Sequence, residues 1–224
     1  MYQEILNEVN KHAETDFANW LKPFLSIDDS EEKLLGVRTP ILKRIAKKYK
    51  EIDISILKLL LKNEIHDIRA LAVFIMLLKL KKEPFLICGL YLQNLEHINN
   101  WDLIDYSAPY IVAPFVNKDV LRNLANVDYL WANRVAMVST IYYIKQNNYD
   151  LALEFAERFI SHKHHLMHKA SGWMLREIGK RDQRVLIKFL KKHVSKMPSI
   201  MRNYAMERLD KKLKQEILQY KYKN

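Results

Sequence analysis

Glycine is scarce in this sequence: only 4 of the 224 residues are glycine, whereas an average protein has roughly 7%. Even with its 6 prolines, the chain has too few turn-forming residues for a many-stranded sandwich or barrel, which needs a turn every ~8–12 residues. The glycines also lack the spacing of the dinucleotide-binding and P-loop motifs, so phosphate-binding loops of these two kinds are excluded.

Cysteine and long apolar segments are nearly absent as well. Cys88 is the only cysteine, which excludes an intramolecular disulfide, a cysteine-based zinc site and an iron–sulfur cluster. The longest apolar run, around Leu71 to Leu78, is far shorter than the ~18 residues of a membrane-spanning helix. The first residues do not form a basic segment followed by an apolar one, as a secretory signal does. We therefore expect a cytoplasmic protein that does not associate with membranes.

The positive charge is concentrated in the second half of the chain. The 37 Lys and Arg residues exceed the 26 Asp and Glu residues by 11. Residues 1–112 carry 15 basic and 16 acidic side chains, a net of −1, whereas residues 113–224 carry 22 and 10, a net of +12. A basic half attracts polyanions, of which nucleic acid is the commonest. The alternative is a solvated, lysine-rich tail with no such partner.

The apolar residues follow a helical period almost everywhere, and no stretch alternates as a strand does. The sequence therefore predicts an all-α fold in one domain, residues 1–224. A basic residue followed by small residues recurs at Arg69, Arg134 and Lys169, with spacings of 65 and 35 residues, close to multiples of one repeat. Such a period is typical of an α-solenoid of HEAT-like helical repeats. These three cations are expected to line one concave, basic face.

Trp101 and Asp105 are the first candidate pair for chemistry. They are four residues apart and are therefore neighbours on one helical face. An aromatic ring beside a carboxylate suits a cationic target, because both attract positive charge. The alternative is structural: Asp102 caps a helix and Trp101 belongs to the core.

A second candidate group combines Lys169, Trp173 and Arg176, which share one face at positions i, i+4 and i+7. Two cations beside a ring can hold a nucleic-acid backbone while the ring meets a sugar or base, although the same pattern arises when basic side chains cover a core tryptophan. Arg134 follows Trp131 by three residues and forms a similar pair. His164 and His168 have the spacing of a helical zinc pair, but no HExxH motif is present, so we expect no metal.

These residues lie in segments that resemble a known family. The segments are Asn-Asn-Trp-Asp-Leu-Ile-Asp-x-Ser-Ala-Pro-Tyr at 99–110, Leu-Trp-x-x-Arg-Val-Ala at 130–136, His-Lys-Ala-x-Gly-Trp-Met-Leu-Arg-Glu-Ile-Gly-Lys-Arg-Asp at 168–182, and Met-Pro at 197–198 with Tyr-Ala-Met-Glu-Arg at 204–208. Gly-Val-Arg-x-Pro at 36–40 resembles the family's N-terminal loop. Together they resemble the AlkD-type DNA alkylation repair glycosylases, in the family's order and spacing, from about residue 30 to 210.

The resemblance implies a stack of HEAT-like repeats with a concave, basic DNA groove. It implies excision of cationic N3- and N7-alkylated purines from duplex DNA, with Asp105 as the catalytic carboxylate and with Trp101 and Trp173 at the reacting nucleotide. The resemblance places Arg134 and Arg176 on the DNA backbone, and we add Lys169 and Arg38 as DNA contacts. We expect no cofactor and a monomer that is associated with the nucleoid when bound to DNA.

Two other functions remain open from the sequence. The first is a non-catalytic DNA-binding paralogue that recognises damaged or branched DNA, and the second is a helical scaffold for acidic proteins. Asp105 distinguishes the first of these from an enzyme, because a carboxylate beside phosphates repels the DNA backbone and has no use in a protein that only binds.

Overall fold

The computed structural model describes residues 1–26 and 31–220, and the regular elements in this part of the chain are helices joined by short turns and loops. Within these residues there is no strand, and the only β-type contact is an isolated bridge between Lys33 and Ile65. The predicted all-α fold class is confirmed. In the same residues, no helix is both long enough and apolar enough to cross a membrane.

The chain divides into two compact units, residues 1–115 and 116–224. The first unit contains α1 (Tyr2–Asn10), α2 (Thr15–Leu25), α3 (Thr39–Lys48), α4 (Ile54–Leu61), α5 (His66–Lys79), α6 (Pro84–Gln93), a 3₁₀ turn (Leu95–His97) and α7 (Trp101–Ile111). Helix α5 packs against α3, α4 and α7 and is buried continuously from His66 to Met76. Its central position explains why apolar residues occupy every side of this helix.

The second unit contains α8 (Lys118–Asn126), α9 (Leu130–Ser139), α10 (Ile141–Ile144), α11 (Asp150–Arg158), a 3₁₀ turn (Phe159–Ser161), α12 (His165–Gly179), α13 (Gln183–His193), α14 (Ser199–Met206) and α15 (Lys211–Gln219). Helix α12 is central here and packs against α9, α11, α13 and α14. The single domain, the HEAT-like repeat and the basic groove predicted from the sequence remain predictions.

Glycine is used where backbones approach closely. A Cβ atom on Gly172 of α12 would lie 2.5 Å from both the Met201 carbonyl oxygen and the Tyr204 Cβ of α14, so only glycine permits this packing. Gly36 has φ +76, and a Cβ there would lie 2.3 Å from the Glu14 carbonyl oxygen. Gly36 therefore closes the segment before α3 onto the start of α2, in a conformation that favours glycine.

Candidate functional site

In the first unit, the candidate residues Trp101 and Asp105 lie on α7, one turn apart. The helix begins after Asn100, whose side-chain oxygen accepts a hydrogen bond from the Trp101 amide at 2.8 Å. The indole Nε1 of Trp101 donates to the carbonyl oxygen of Phe24, at the end of α2, over 2.9 Å. Trp101 is only partly buried, so its ring is fixed in place and yet reaches the surface. This placement differs from that of a core tryptophan.

Asp105 is also partly exposed, and it lies near a completely buried phenol. Tyr91 shares a 2.8 Å hydrogen bond with Ser107. Burial raises the pKa of Tyr91, and the negative charge of Asp105 raises it further. The phenol therefore stays protonated at physiological pH, and Asp105 is a partly exposed carboxylate beside it.

A buried charge network holds the start of α7. The Nε2 atom of His66 lies 2.9 Å from the Asp102 carboxylate, and its Nδ1 atom lies 3.8 Å from the Glu32 carboxylate. Glu32 also receives Arg69 at 2.6 Å and the Asn100 amide at 3.0 Å. The network joins the segment before α3 to α5 and α7, because its members come from all three.

Two members of this network, His66 and Glu32, keep their charges over a wide pH range. Burial disfavours the charged imidazole, but the carboxylates of Asp102 and Glu32 outweigh this and raise the pKa of His66 to about 9. Burial likewise disfavours the Glu32 carboxylate, but His66 and Arg69 hold its pKa at about 2. Asp102 is thus an ion-pair partner at the beginning of α7, and the capping position that the sequence suggested for it belongs to Asn100.

The sequence did not lead us to predict an aromatic surface on α2, which consists of Phe17, Trp20 and Phe24. Phe17 and Trp20 stack with ring centroids 5.7 Å apart, and Phe24 continues the row at 5.2 Å from Trp20. Trp20 is 61% exposed and Phe24 57%. The signal was present in the sequence, because these residues recur at i, i+3 and i+7, the spacing of one helical face. The Phe24 carbonyl that holds Trp101 joins this surface to α7.

Arg38 lies at the other end of the aromatic surface. Its guanidinium carbon is 3.8 Å from the centre of the Phe17 ring, and its side chain forms a 3.0 Å ion pair with Glu14. Although Arg38 is exposed, its charge already has a partner. A phosphate bound here would compete with Glu14 for the same guanidinium.

In the second unit, Lys169, Trp173 and Arg176 all lie on α12, as the helical spacing predicts. The indole Nε1 of Trp173 donates to Glu177 at 3.2 Å, and Arg176 forms an ion pair with Glu207 at the end of α14. Lys169 is partly exposed and has no hydrogen-bond or ion-pair partner among the described residues. Lys169 is therefore the most available cation of this group.

The structure places Arg134 differently from the expected surface cation. Only 4% of Arg134 is exposed, and its Nη1 atom donates to the carbonyl oxygen of Leu166, in the first turn of α12, at 2.8 Å. Arg69, expected on the same face, is 5% exposed and is held by Glu32. A buried guanidinium needs such partners, because leaving its donors unpaired is costly. Both arginines connect elements of the fold and do not present charge to solvent.

The histidines at the start of α12 form a hydrogen-bonded turn. His162 Nδ1 accepts from the His164 amide at 2.9 Å, and the rings of His164 and His165 stack with centroids 4.8 Å apart. Burial lowers the pKa of His162 and that of His168. In residues 1–26 and 31–220, no three His, Cys, Asp or Glu side chains are grouped as metal ligands.

Comparison with known proteins gives one family and one fold. The family model described as DNA alkylation repair enzyme matches residues 3–209. A solved structure described as "Predicted DNA alkylation repair enzyme from Enterococcus faecalis" is similar with a TM-score of 0.62 and 16% sequence identity, over 80% of this chain and 89% of that chain. At this identity the structural likeness supports the fold alone. No curated protein matches the sequence.

Proposed function

Because the chain belongs to the DNA alkylation repair enzyme family, we propose that it is a DNA glycosylase. Its reaction is hydrolysis of the N-glycosidic bond of cationic N3- and N7-alkylated purines in duplex DNA, as in the AlkD-type members that its sequence resembles. The observation that carries the proposal is the pair on α7: Trp101, fixed through Phe24 and yet partly exposed, with Asp105 one turn away and also reaching solvent.

The chemistry of the substrate matches this pair. An alkylated purine already carries a positive charge, so it leaves as a neutral base and needs no general acid. As the bond breaks, the positive charge passes to the deoxyribose, which acquires the character of an oxocarbenium ion. The carboxylate of Asp105 stabilises that charge or positions the attacking water, and the face of the Trp101 ring adds electrostatic attraction.

The remaining contacts with DNA are assigned by whether each side chain already has a partner in the folded protein. Trp173 provides an aromatic surface for the sugar and backbone. Lys169 binds a phosphate directly, because no partner in the described part of the chain holds it. Arg38 and Arg176 bind phosphate by exchanging Glu14 and Glu207, respectively. Arg134 acts by fixing the start of α12 through Leu166, so we assign it a supporting role. The protein works as a monomer in the cytoplasm, at the nucleoid.

The test is release of free methylated bases from methylated duplex DNA by the wild type and by Asp105→Asn. The variant keeps the size of the side chain and removes its charge, so base release should fall at least ~100-fold, as when one preorganised electrostatic group is removed. DNA affinity should stay equal or rise, because a charge that repels phosphates is gone.

Asp53→Asn is the matched control. Asp53 is an exposed carboxylate of the same unit, directly before α4, and its side chain makes no capping hydrogen bond to the described residues. This variant should release bases at the wild-type rate. Normal excision by Asp105→Asn would remove Asp105 from the mechanism, whereas DNA binding without base release by the wild type would identify a binding-only protein.

A further inference from the structure

A polar surface pocket of about 480 Å³ lies in the second unit, between the turn that follows α8 and the segment that precedes α12. Arg158, His162 and Lys163 line one side, and Asp128 and Asn133 line the other. None of the candidate catalytic and DNA-binding residues described above lines it. The pocket therefore needs its own explanation.

The wall of the pocket is held by internal hydrogen bonds. The Asn133 amide donates to the carbonyl oxygens of Leu124 and Val127, both at 2.9 Å. Its oxygen accepts from Nε2 of His162 at 3.2 Å, while Nδ1 of the same ring accepts from the His164 amide. His162 has one nitrogen as donor and the other as acceptor, so the ring is neutral and contributes no charge to the pocket.

Two cations of the pocket have N–H donors that no other described residue accepts from. The Nε atom of Arg158 donates to the Ala125 carbonyl oxygen at 2.9 Å, which orients the guanidinium. Among the described residues, its two Nη groups have no hydrogen-bond or ion-pair partner, and neither does the ammonium of Lys163. Among the described residues that line the pocket, the carboxylate of Asp128 is the one negative charge. The described lining of the pocket thus presents two positive charges and one negative charge. It offers at least five N–H donors to a ligand: two on each Nη group of Arg158 and at least one on Lys163.

The pocket is connected to the helix that carries the other candidate residues of this unit. Nε2 of His168, on α12, donates to the His162 carbonyl oxygen at 2.7 Å. Lys169, for which the described part of the chain supplies no partner, follows directly in the sequence. An anion in the pocket and one at Lys169 would be held by the same rigid segment.

We propose that this pocket binds a phosphodiester of the DNA backbone, with Arg158 and Lys163 as its two cationic contacts. The fork of an arginine suits the paired oxygens of a phosphate, and a lysine adds a second charge. The contact supplies affinity and register and does not read sequence. It rests on the proposed action on DNA and places one further phosphate outside the reacting nucleotide.

The experiment measures the affinity of the full chain for undamaged duplex DNA between roughly 0.05 and 0.3 M salt, a range that spans physiological ionic strength. Lys163→Gln and Arg158→Gln are compared with the wild type. Each lost phosphate contact should make the slope of log affinity against log salt shallower by about 0.9. If the proteins converge at 1 M salt, this slope change corresponds to an about eightfold loss of affinity at 0.1 M. Arg158→Lys keeps the charge and should retain most of the slope.

Lys188→Gln is the matched control, because Lys188 is an exposed cation of α13 in the same unit and does not line the pocket. Pocket variants whose slopes equal that of Lys188→Gln would overturn the inference, as would a wild type that does not bind duplex DNA. The ring resonances of His162 report occupancy directly. If they shift with inorganic phosphate while the DNA slopes of all variants agree, the ligand is a free anion and the DNA assignment is overturned.

The assay separates this inference from the proposed function, because it uses DNA that contains no substrate base. Weaker, less salt-dependent binding by the pocket variants supports the phosphate site even if the wild type releases no methylated base. Normal base release by the wild type, together with unchanged slopes in the pocket variants, supports the glycosylase and rejects the phosphate site.

Discussion

The charge of His66 makes a measurable contribution to stability. The pKa of His66 is raised from 6.5 to about 9 in the folded protein by Asp102 and Glu32. A folded pKa above the unfolded one stabilises the protein fully below pH ~6.5, and this contribution is lost as the pH rises through ~9. A shift of about 2.5 units at 1.36 kcal/mol per unit corresponds to about 3 kcal/mol. Since a domain has a stability of roughly 5–15 kcal/mol, the loss is large.

At acidic pH the dependence of stability on pH has the opposite sign. The pKa of Glu32 is lowered to about 2, so its contribution is present above its unfolded value of about 4.5 and is lost as the pH falls towards 2. His66 and Glu32 stabilise each other, so their contributions are not summed. Together they predict that the network is most stabilising between pH ~4.5 and ~6.5.

The assay is urea unfolding followed by circular dichroism, at intervals from pH 6.5 to 9.5, for the wild type and His66→Gln. All other ionisable groups are the same in both proteins, so the difference between the two free energies of unfolding isolates His66. This difference should shrink by about 3 kcal/mol across the range. Parallel pH profiles would refute the reasoning. If His66→Gln does not fold, the imidazole titration of the wild type followed by NMR decides instead, and a midpoint near the unperturbed value of ~6.5 refutes it.

Three further predictions concern single side chains. Gly172→Ala forces a Cβ into the backbone and side chains of α14 and should lower the free energy of urea unfolding by about 1–3 kcal/mol. A Cβ at Gly89 in α6 would meet no described atom within 4 Å, so Gly89→Ala should raise it by about 0.5–1 kcal/mol. Equal effects of the two substitutions would contradict the close packing of α12 and α14. Lys169→Gln should make the slope of log DNA affinity against log salt shallower by about 0.9. Arg134→Gln should instead lower the free energy of unfolding by roughly 3 kcal/mol, because it breaks buried contacts. A shallower slope for Arg134→Gln with unchanged stability would show that Arg134 binds DNA. Trp101→Phe keeps a ring and loses the hydrogen bond to the Phe24 carbonyl oxygen, so it should lower the free energy of unfolding by about 1 kcal/mol. It should also retain more base release than Trp101→Ala. Identical base release by the two variants would show that the ring has no role.

The helices and the α12 group were predictable because their signal is local. Apolar spacing reports which residues share a face, and the spacing of Lys169, Trp173 and Arg176 places them together wherever the helix packs. The burial of the Arg134 side chain was not predictable in the same way. Its partner is a carbonyl 32 residues later in the chain, and a recurring arginine has the same pattern whether it is buried or exposed.

The charge network was hidden for a related reason. Glu32, His66 and Asp102 are separated by more than thirty residues at each step, and each one alone resembles an ordinary polar residue near a helix end. Only the packing of α5 against α7 brings them together. The aromatic surface of α2 had a readable period, but exposure distinguishes a binding surface from a core stripe, and periodicity does not report which side of a helix is covered.

The four tryptophans differ in their exposure to solvent, and this has a spectroscopic consequence. Trp131 is 8% exposed, Trp20 is 61% exposed, and Trp101 and Trp173 lie between. Iodide in solution quenches the fluorescence of indoles that it can reach and leaves a buried indole bright at shorter wavelength. A ligand that covers the surface indoles will protect them from iodide, while Trp131 serves as an unchanged internal reference. The unlabelled protein therefore carries its own optical probe of occupancy at the candidate residues.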